Sequence, residues 1–146
     1  MADAWLEVLS KESCLDLLRN EKIGRIAFVV DNDPVILPVN FQLVEPPSGP
    51  IISVRTRPGN TIEQAPTSVA FEVDSFDPAH HEGWSVLVRG ELLHATAASA
   101  EFRERYDSDS WLTERDAWLL IDPWAITGRR LHGAEAIWRV RPGEYM

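Results

Sequence analysis

The 146 residues, 45% apolar and 25% charged, fall in the range of one ordinary folded domain and outside that of disordered chains. A formal net charge of −9 excludes the broad basic footprint that nucleic acids and anionic membranes require, while leaving room for a local basic pocket. Cys14 has no second cysteine to pair with, Met1 to Trp5 carries no basic leader, and no apolar run approaches ~18 residues, so a cytoplasmic protein is expected.

In chain order, Ser10 followed by Lys11 to Arg19 predicts a short helix, with Ser10 as N-cap and Cys14, Leu17 and Leu18 as its apolar face. Arg25 to Val30 is rich in strand formers, Asp31-Asn32-Asp33-Pro34 is a compact turn, and Val35 to Val44 is extended, which together predict a hairpin. Three prolines make Glu45 to Pro50 a loop. Ile51 to Thr56 predicts a third strand and Asn60 to Ala65 a short helix ended by Pro66.

Thr67 to Phe76 alternates Val69, Phe71 and Val73 against Ala70, Glu72 and Asp74, and Trp84 to Thr96 begins with Trp84, Val86 and Val88 against Ser85, Leu87 and Arg89. Asp77 to Gly83 connects these two strands. A helix at Ala97 to Tyr106 and a loop at Asp107 to Ser110 precede a strand at Ala117 to Ile121 that resumes after Pro123 and reaches Arg130; Ala134 to Val140 adds a last strand. Many strands, short turns and no strand-helix-strand rhythm predict a mainly β, antiparallel barrel with a few short helices in a single domain.

Three segments carry residue types suited to a flat, phosphorylated heteroaromatic ligand. The turn Arg55-Thr56-Arg57-Pro58-Gly59-Asn60-Thr61 offers cations, hydroxyls and backbone N–H groups for a phosphate, or is a solvated turn with chance arginines. Leu37-Pro38-Val39-Asn40-Phe41 is an extended segment interrupted by a proline, and Asn40 can both donate and accept. In Gly83-Trp84-Ser85-Val86-Leu87-Val88-Arg89-Gly90, Trp84 either stacks on a ligand or packs in the core, and Ser85 can bond a polar edge.

Read together with Gly24 to Val29 and Val69 to Asp74, these segments resemble, in order and spacing from about Leu9 to Arg130, the pyridoxamine 5'-phosphate oxidase-like, FMN-binding split-barrel family. The resemblance implies a split-barrel homodimer with FMN, or a deazaflavin, in a groove between subunits, and flavin-dependent oxidation or reduction of an unidentified small molecule. It implies cofactor contacts from Pro38, Val39, Asn40, Phe41, Arg55, Thr56, Asn60, Thr61, Trp84 and Ser85, and from Arg129 of the Gly128-Arg129-Arg130 segment, which in relatives approaches from the other subunit. The family usually carries a lysine where this chain has Thr61, a departure that removes one cationic contact.

Two other readings use the same scaffold: a non-catalytic flavin carrier or sensor, or a haem-binding barrel with His80, His81, His94 or His132 as axial ligand. Adjacent His80 and His81 point apart and no second ligand pair accompanies them, so no metal site is expected. Cys14 on an apolar helix face reads as a small core residue.

Overall fold

The computed structural model describes residues 5–56, 68–94 and 117–133. Within them the chain forms β1 Trp5–Leu9, β2 Ile23–Val30, β3 Asp33–Val44, β4 Ile51–Thr56, β5 Ser68–Asp77, β6 Glu82–His94 and β7 Ala117–His132, with α1 Lys11–Arg19 between the first two strands. The expected helices at Asn60 to Ala65 and Ala97 to Tyr106, the loop at Asp107 to Ser110 and the strand at Ala134 to Val140 lie outside the described residues.

The β2–β3 hairpin closes through two residues only, Asp31 (φ 49°) and Asn32 (φ 64°). Two consecutive left-handed residues match the right-handed twist of the flanking strands, and Asp and Asn tolerate that conformation better than other side chains. Pairing therefore reaches Val30 and Asp33, and β3 begins two residues before the expected Val35.

All pairings are antiparallel, in the order β1-β7-β4-β3-β2-β5-β6, and β6 also pairs with β7. That last pairing turns six strands into a ring, with β1 lying outside it along β7. One edge of β7 serves β4 from Ala117 to Ile121 and β1 from Gly128 to His132, while the other edge carries β6. The chain is thus an antiparallel split β-barrel.

Pro123 does not break β7, because a bulge absorbs it: Gly90 faces Pro123 and Arg89 faces Ala125, leaving Trp124 unpaired and 61% exposed. The close approach there needs glycine, since a Cβ on Gly90 would lie 2.5 Å from the Asp122 carbonyl oxygen. Strand β1 has little alternating apolar content of its own, and Val8 is 80% exposed; its place depends on the free edge of β7.

Inside the ring, Ile26, Phe28, Val54, Val73, Val86, Val88, Leu119 and Ile121 form the core around Phe71. Phe71 lies across the bare backbone of Gly24 and meets Phe41 edge-on, with centroids 4.9 Å apart and planes at 70°. Each such side chain, fully buried, contributes about 1.5–3 kcal/mol. Cys14, Leu15 and Leu18 of α1 join this core, and Leu17 is only partly buried against it, so the helix's inner face is shifted by one position from the expected one. Burial pushes the Cys14 thiol above its usual range, as befits a core residue.

Helix α1 is fixed at both ends. The Ser10 hydroxyl accepts from the Ser13 N–H at 3.1 Å, and Arg19 forks onto Glu45 after β3, Nε to Oε2 at 2.8 Å and Nη2 to Oε1 at 2.6 Å. That guanidinium holds the Glu45 carboxyl below the usual carboxylate range. Among the described residues no helix is long and apolar enough to cross a membrane.

Candidate functional site

Register decides which of the polar side chains meet. On β2, Ile26 and Phe28 face the core, so Ile23 and Arg25 face outward; on β3, Phe41 faces the core and Asn40 outward. Asn40 stands opposite Ile23 on one side and Arg55 on the other. Asn40 and half-buried Arg55 are therefore cross-strand neighbours on the outer wall, side chains within reach of one ligand. The side chains of Val39 and Phe41 point inward against the core, so only their backbone is available from outside. Thr56 ends β4 beside them, and Asn60 and Thr61 lie outside the described residues.

The backbone of β3 has an open edge at this place. The Phe41 N–H donates to the Lys22 carbonyl at 2.9 Å, so odd-numbered amides of β3 point toward β2 and even-numbered ones away from it. On that second edge β4 pairs only from Asn40 onward. Pro34, Ile36 and Pro38 face an edge without strand pairing among the described residues, and the two prolines bring carbonyls but no N–H. The barrel is split where Pro38 has no donor to offer β4.

Ser85 and Arg129 stand directly opposite each other on β6 and β7, both facing outward. Trp84 has the parity of Val86 and Val88 and packs on the inner side against the core. Ser85 pairs with Asp74 on β5, and the β2–β5 register of Arg25 with Glu72, extended by two residues, sets Asp74 on the line that runs from Arg55 through Asn40 and Ile23. Arg55, Asn40, Ile23, Asp74, Ser85 and Arg129 thus form one belt around the outside of the wall. From β3 to β6 the belt covers three strand steps, roughly 14 Å along the wall. The Asn40–Arg55 pair and the Ser85–Arg129 pair consequently stand apart on the wall of a single chain, and β4 meets β7 only from Ala117 to Ile121, short of Arg129.

The middle of the belt holds a charged cluster that sequence reading does not single out. Arg25 Nη1 donates to Glu72 Oε1 at 3.1 Å and to Asp74 Oδ2 at 3.0 Å. Burial, then the hydrogen bond and charge of Asp74, push the Glu72 carboxyl up to about 7 against the opposing pull of Arg25. The available signal was weak: one arginine in an apolar run, and two carboxylates of equal parity beside Phe71 and Val73.

The histidines occupy other places. His80 Nδ1 lies 2.6 Å from Asp77 Oδ2 in the β5–β6 turn, where His81 has a left-handed φ of 52°. His132 stacks on Trp5 at 4.0 Å and its Nε2 lies 2.7 Å from Glu7 Oε2, tying β1 to β7. Among the described residues no three His, Cys, Asp or Glu side chains gather as a metal site. A separate cavity of about 380 Å³ opens between Lys11, Pro50, Ile51 and the Trp124 bulge, with no expected cofactor contact in its described lining.

Residues 10–130 match the sequence pattern of the family described as pyridoxamine 5'-phosphate oxidase. An uncharacterized protein of Mycobacterium tuberculosis, Rv0080, is 32% identical over 131 residues, which cover 84% of each chain. The structure of a FAD binding protein from Mycobacterium smegmatis superimposes with a TM-score of 0.71 at 32% identity, covering 85% of this chain and 98% of that one. A conserved protein of unknown function from Corynebacterium diphtheriae, DIP1874, gives a TM-score of 0.73 at 28% identity over 85% and 96% of the two chains.

Proposed function

Because the chain belongs to the pyridoxamine 5'-phosphate oxidase family, we propose that it binds a flavin on the outer belt, in a groove completed by a second copy, and uses it to oxidise or reduce a small molecule. The observation that carries this reading is the separation, along one convex wall, of Asn40 with Arg55 from Ser85 with Arg129. In one chain the two pairs stand three or more strand steps apart. Two copies placed face to face about a two-fold axis bring the Ser85–Arg129 pair of one onto the Asn40–Arg55 pair of the other. Ile23 (63% exposed), Val29 (51%) and Ile36 (67%) on the outer face of β2 and β3 give such a contact an apolar surface to bury.

The residues present fit a flavin. Arg55 supplies a guanidinium for the phosphate. Asn40 and the open β3 edge at Ile36 to Pro38 offer donors and carbonyls to the polar edge of a planar ring. When bound, the flavin supplies the hydride or electron chemistry. The chain binds and orients it, and the apolar β2–β3 face excludes water. FMN and FAD share the ring, ribityl chain and first phosphate that these residues address, and a relative described as a FAD binding protein makes FAD a candidate beside FMN and a deazaflavin.

Titration with FMN, FAD and a deazaflavin, followed by tryptophan fluorescence, tests the reading. At least one is expected to bind, and Arg55→Glu to weaken it tenfold to a hundredfold, the equivalent of losing a charged hydrogen bond worth about 1.5–3 kcal/mol. No response to any of the three would overturn it. Thr61, in place of the family's usual lysine, favours a second reading in which the flavin is carried without turnover; reduction of the bound flavin by a nicotinamide or other reductant, with steady turnover, decides against that one.

A further inference from the structure

Glu72 and Asp74 lie two residues apart on one face of β5, and both accept from the same nitrogen of Arg25. One guanidinium thus faces two carboxylates, and the fully ionised cluster carries one uncompensated negative charge. It sits in the part of the belt flanked by exposed Ile23 and by the outer faces of Ala27 and Ile36. Other charge reaches it only from a distance among the described residues: Arg89 of β6 stands diagonally, opposite Ala70, and Arg129 of β7 lies beyond Ser85. The neighbouring β3 contributes Pro38 and Asn40, which carry no charge.

We propose that pairing of two copies across this belt is coupled to proton uptake at the Glu72–Asp74 pair, so that pH regulates how firmly the groove between the copies is assembled. The inference rests on the two-copy reading above. Association removes water from the cluster, and an uncompensated carboxylate in a desolvated interface is unfavourable. A proton held between the two carboxyls removes that charge, while Arg25 continues to hold the one that remains ionised. In the single chain the Glu72 carboxyl already titrates near neutrality, so uptake on association falls within the physiological range. The sign follows: the associated state binds the extra proton, so association is strongest at low pH and weakens as pH rises through about 7.

Sedimentation equilibrium of the full chain at about pH 6 and about pH 8.5, at fixed ionic strength, tests this. The dimer dissociation constant is expected to rise at least tenfold, roughly, at the higher pH, and Glu72→Gln to bring the change below about threefold. Heats of dilution in buffers of different ionisation enthalpy provide a second reading on the unaltered protein, with proton release on dissociation expected near neutral pH. A dimer of equal strength at both pH values, with heats independent of buffer, overturns the proton coupling and leaves the two-copy site standing. A chain that stays monomeric at every pH and concentration overturns both.

Discussion

Ser53 shows how a single residue on this wall carries a testable energy. It has outward parity on β4, is 2% exposed, and its hydroxyl meets no hydrogen-bond partner among the described residues. Ser53→Ala removes an unsatisfied buried group and is expected to raise stability by about 1 kcal/mol in urea unfolding; a loss of that size would show that the hydroxyl is satisfied. Glu72 gives a pH-dependent counterpart. Its carboxyl is raised in the folded chain, so the folded state holds a proton that the unfolded state has released between about 4.5 and 7. Stability contributed by this group is therefore present below the unfolded value and lost as pH rises through about 7. Glu72→Gln should flatten that slope, by less than about 1 kcal/mol because the side chain is partly solvated; an unchanged pH profile of Tm would contradict it. Asn40 and Arg55 were legible in sequence because polar types stand out in strand-forming runs. Arg25, Glu72 and Asp74 were not, because their meeting depends on β2–β5 pairing between segments far apart in the chain.

Local chemistry specified most of the elements. Strand-forming composition pointed to β2, β3 and β4, alternation to β5 and β6, the cap at Ser10 to α1, and the prolines of Glu45 to Pro50 to the break between β3 and β4. Two outcomes needed tertiary context. Strand β1 forms because β7 has an edge to offer beyond β4, and β7 continues through Pro123 because Gly90 lets the bulge close against it. Gly90→Ala is expected to cost about 1–3 kcal/mol, since the clash is with backbone that cannot turn aside; circular dichroism melts would show it as a clear drop in Tm. At the β2–β3 turn, Asn32→Val should cost about 1–2 kcal/mol by forcing a branched side chain into left-handed backbone, whereas Asn32→Gly should not destabilise. Equal effects of the two substitutions would mean that the turn is not held in that geometry.

At the scale of the whole molecule, strand order sets the two halves of the expected binding site apart on the wall. The resemblance puts Arg55, Asn40 and Ser85 in one site that Arg129 approaches from the other subunit, and strand order and register set Ser85 and Arg129 three or more strand steps from Asn40 in one chain. In the proposed site the flavin is held by residues of two chains. Mixing variants tests this directly: Arg55→Glu and Arg129→Glu chains, each expected to bind flavin at least about tenfold more weakly alone, are combined in equal amounts and allowed to exchange partners. Each mixed dimer then has one site with both arginines intact and one with neither, so the mixture should regain about a quarter of the wild-type sites, measured by flavin titration. A mixture that binds no more than its separate components would place both arginines in the same chain's site and contradict the shared groove.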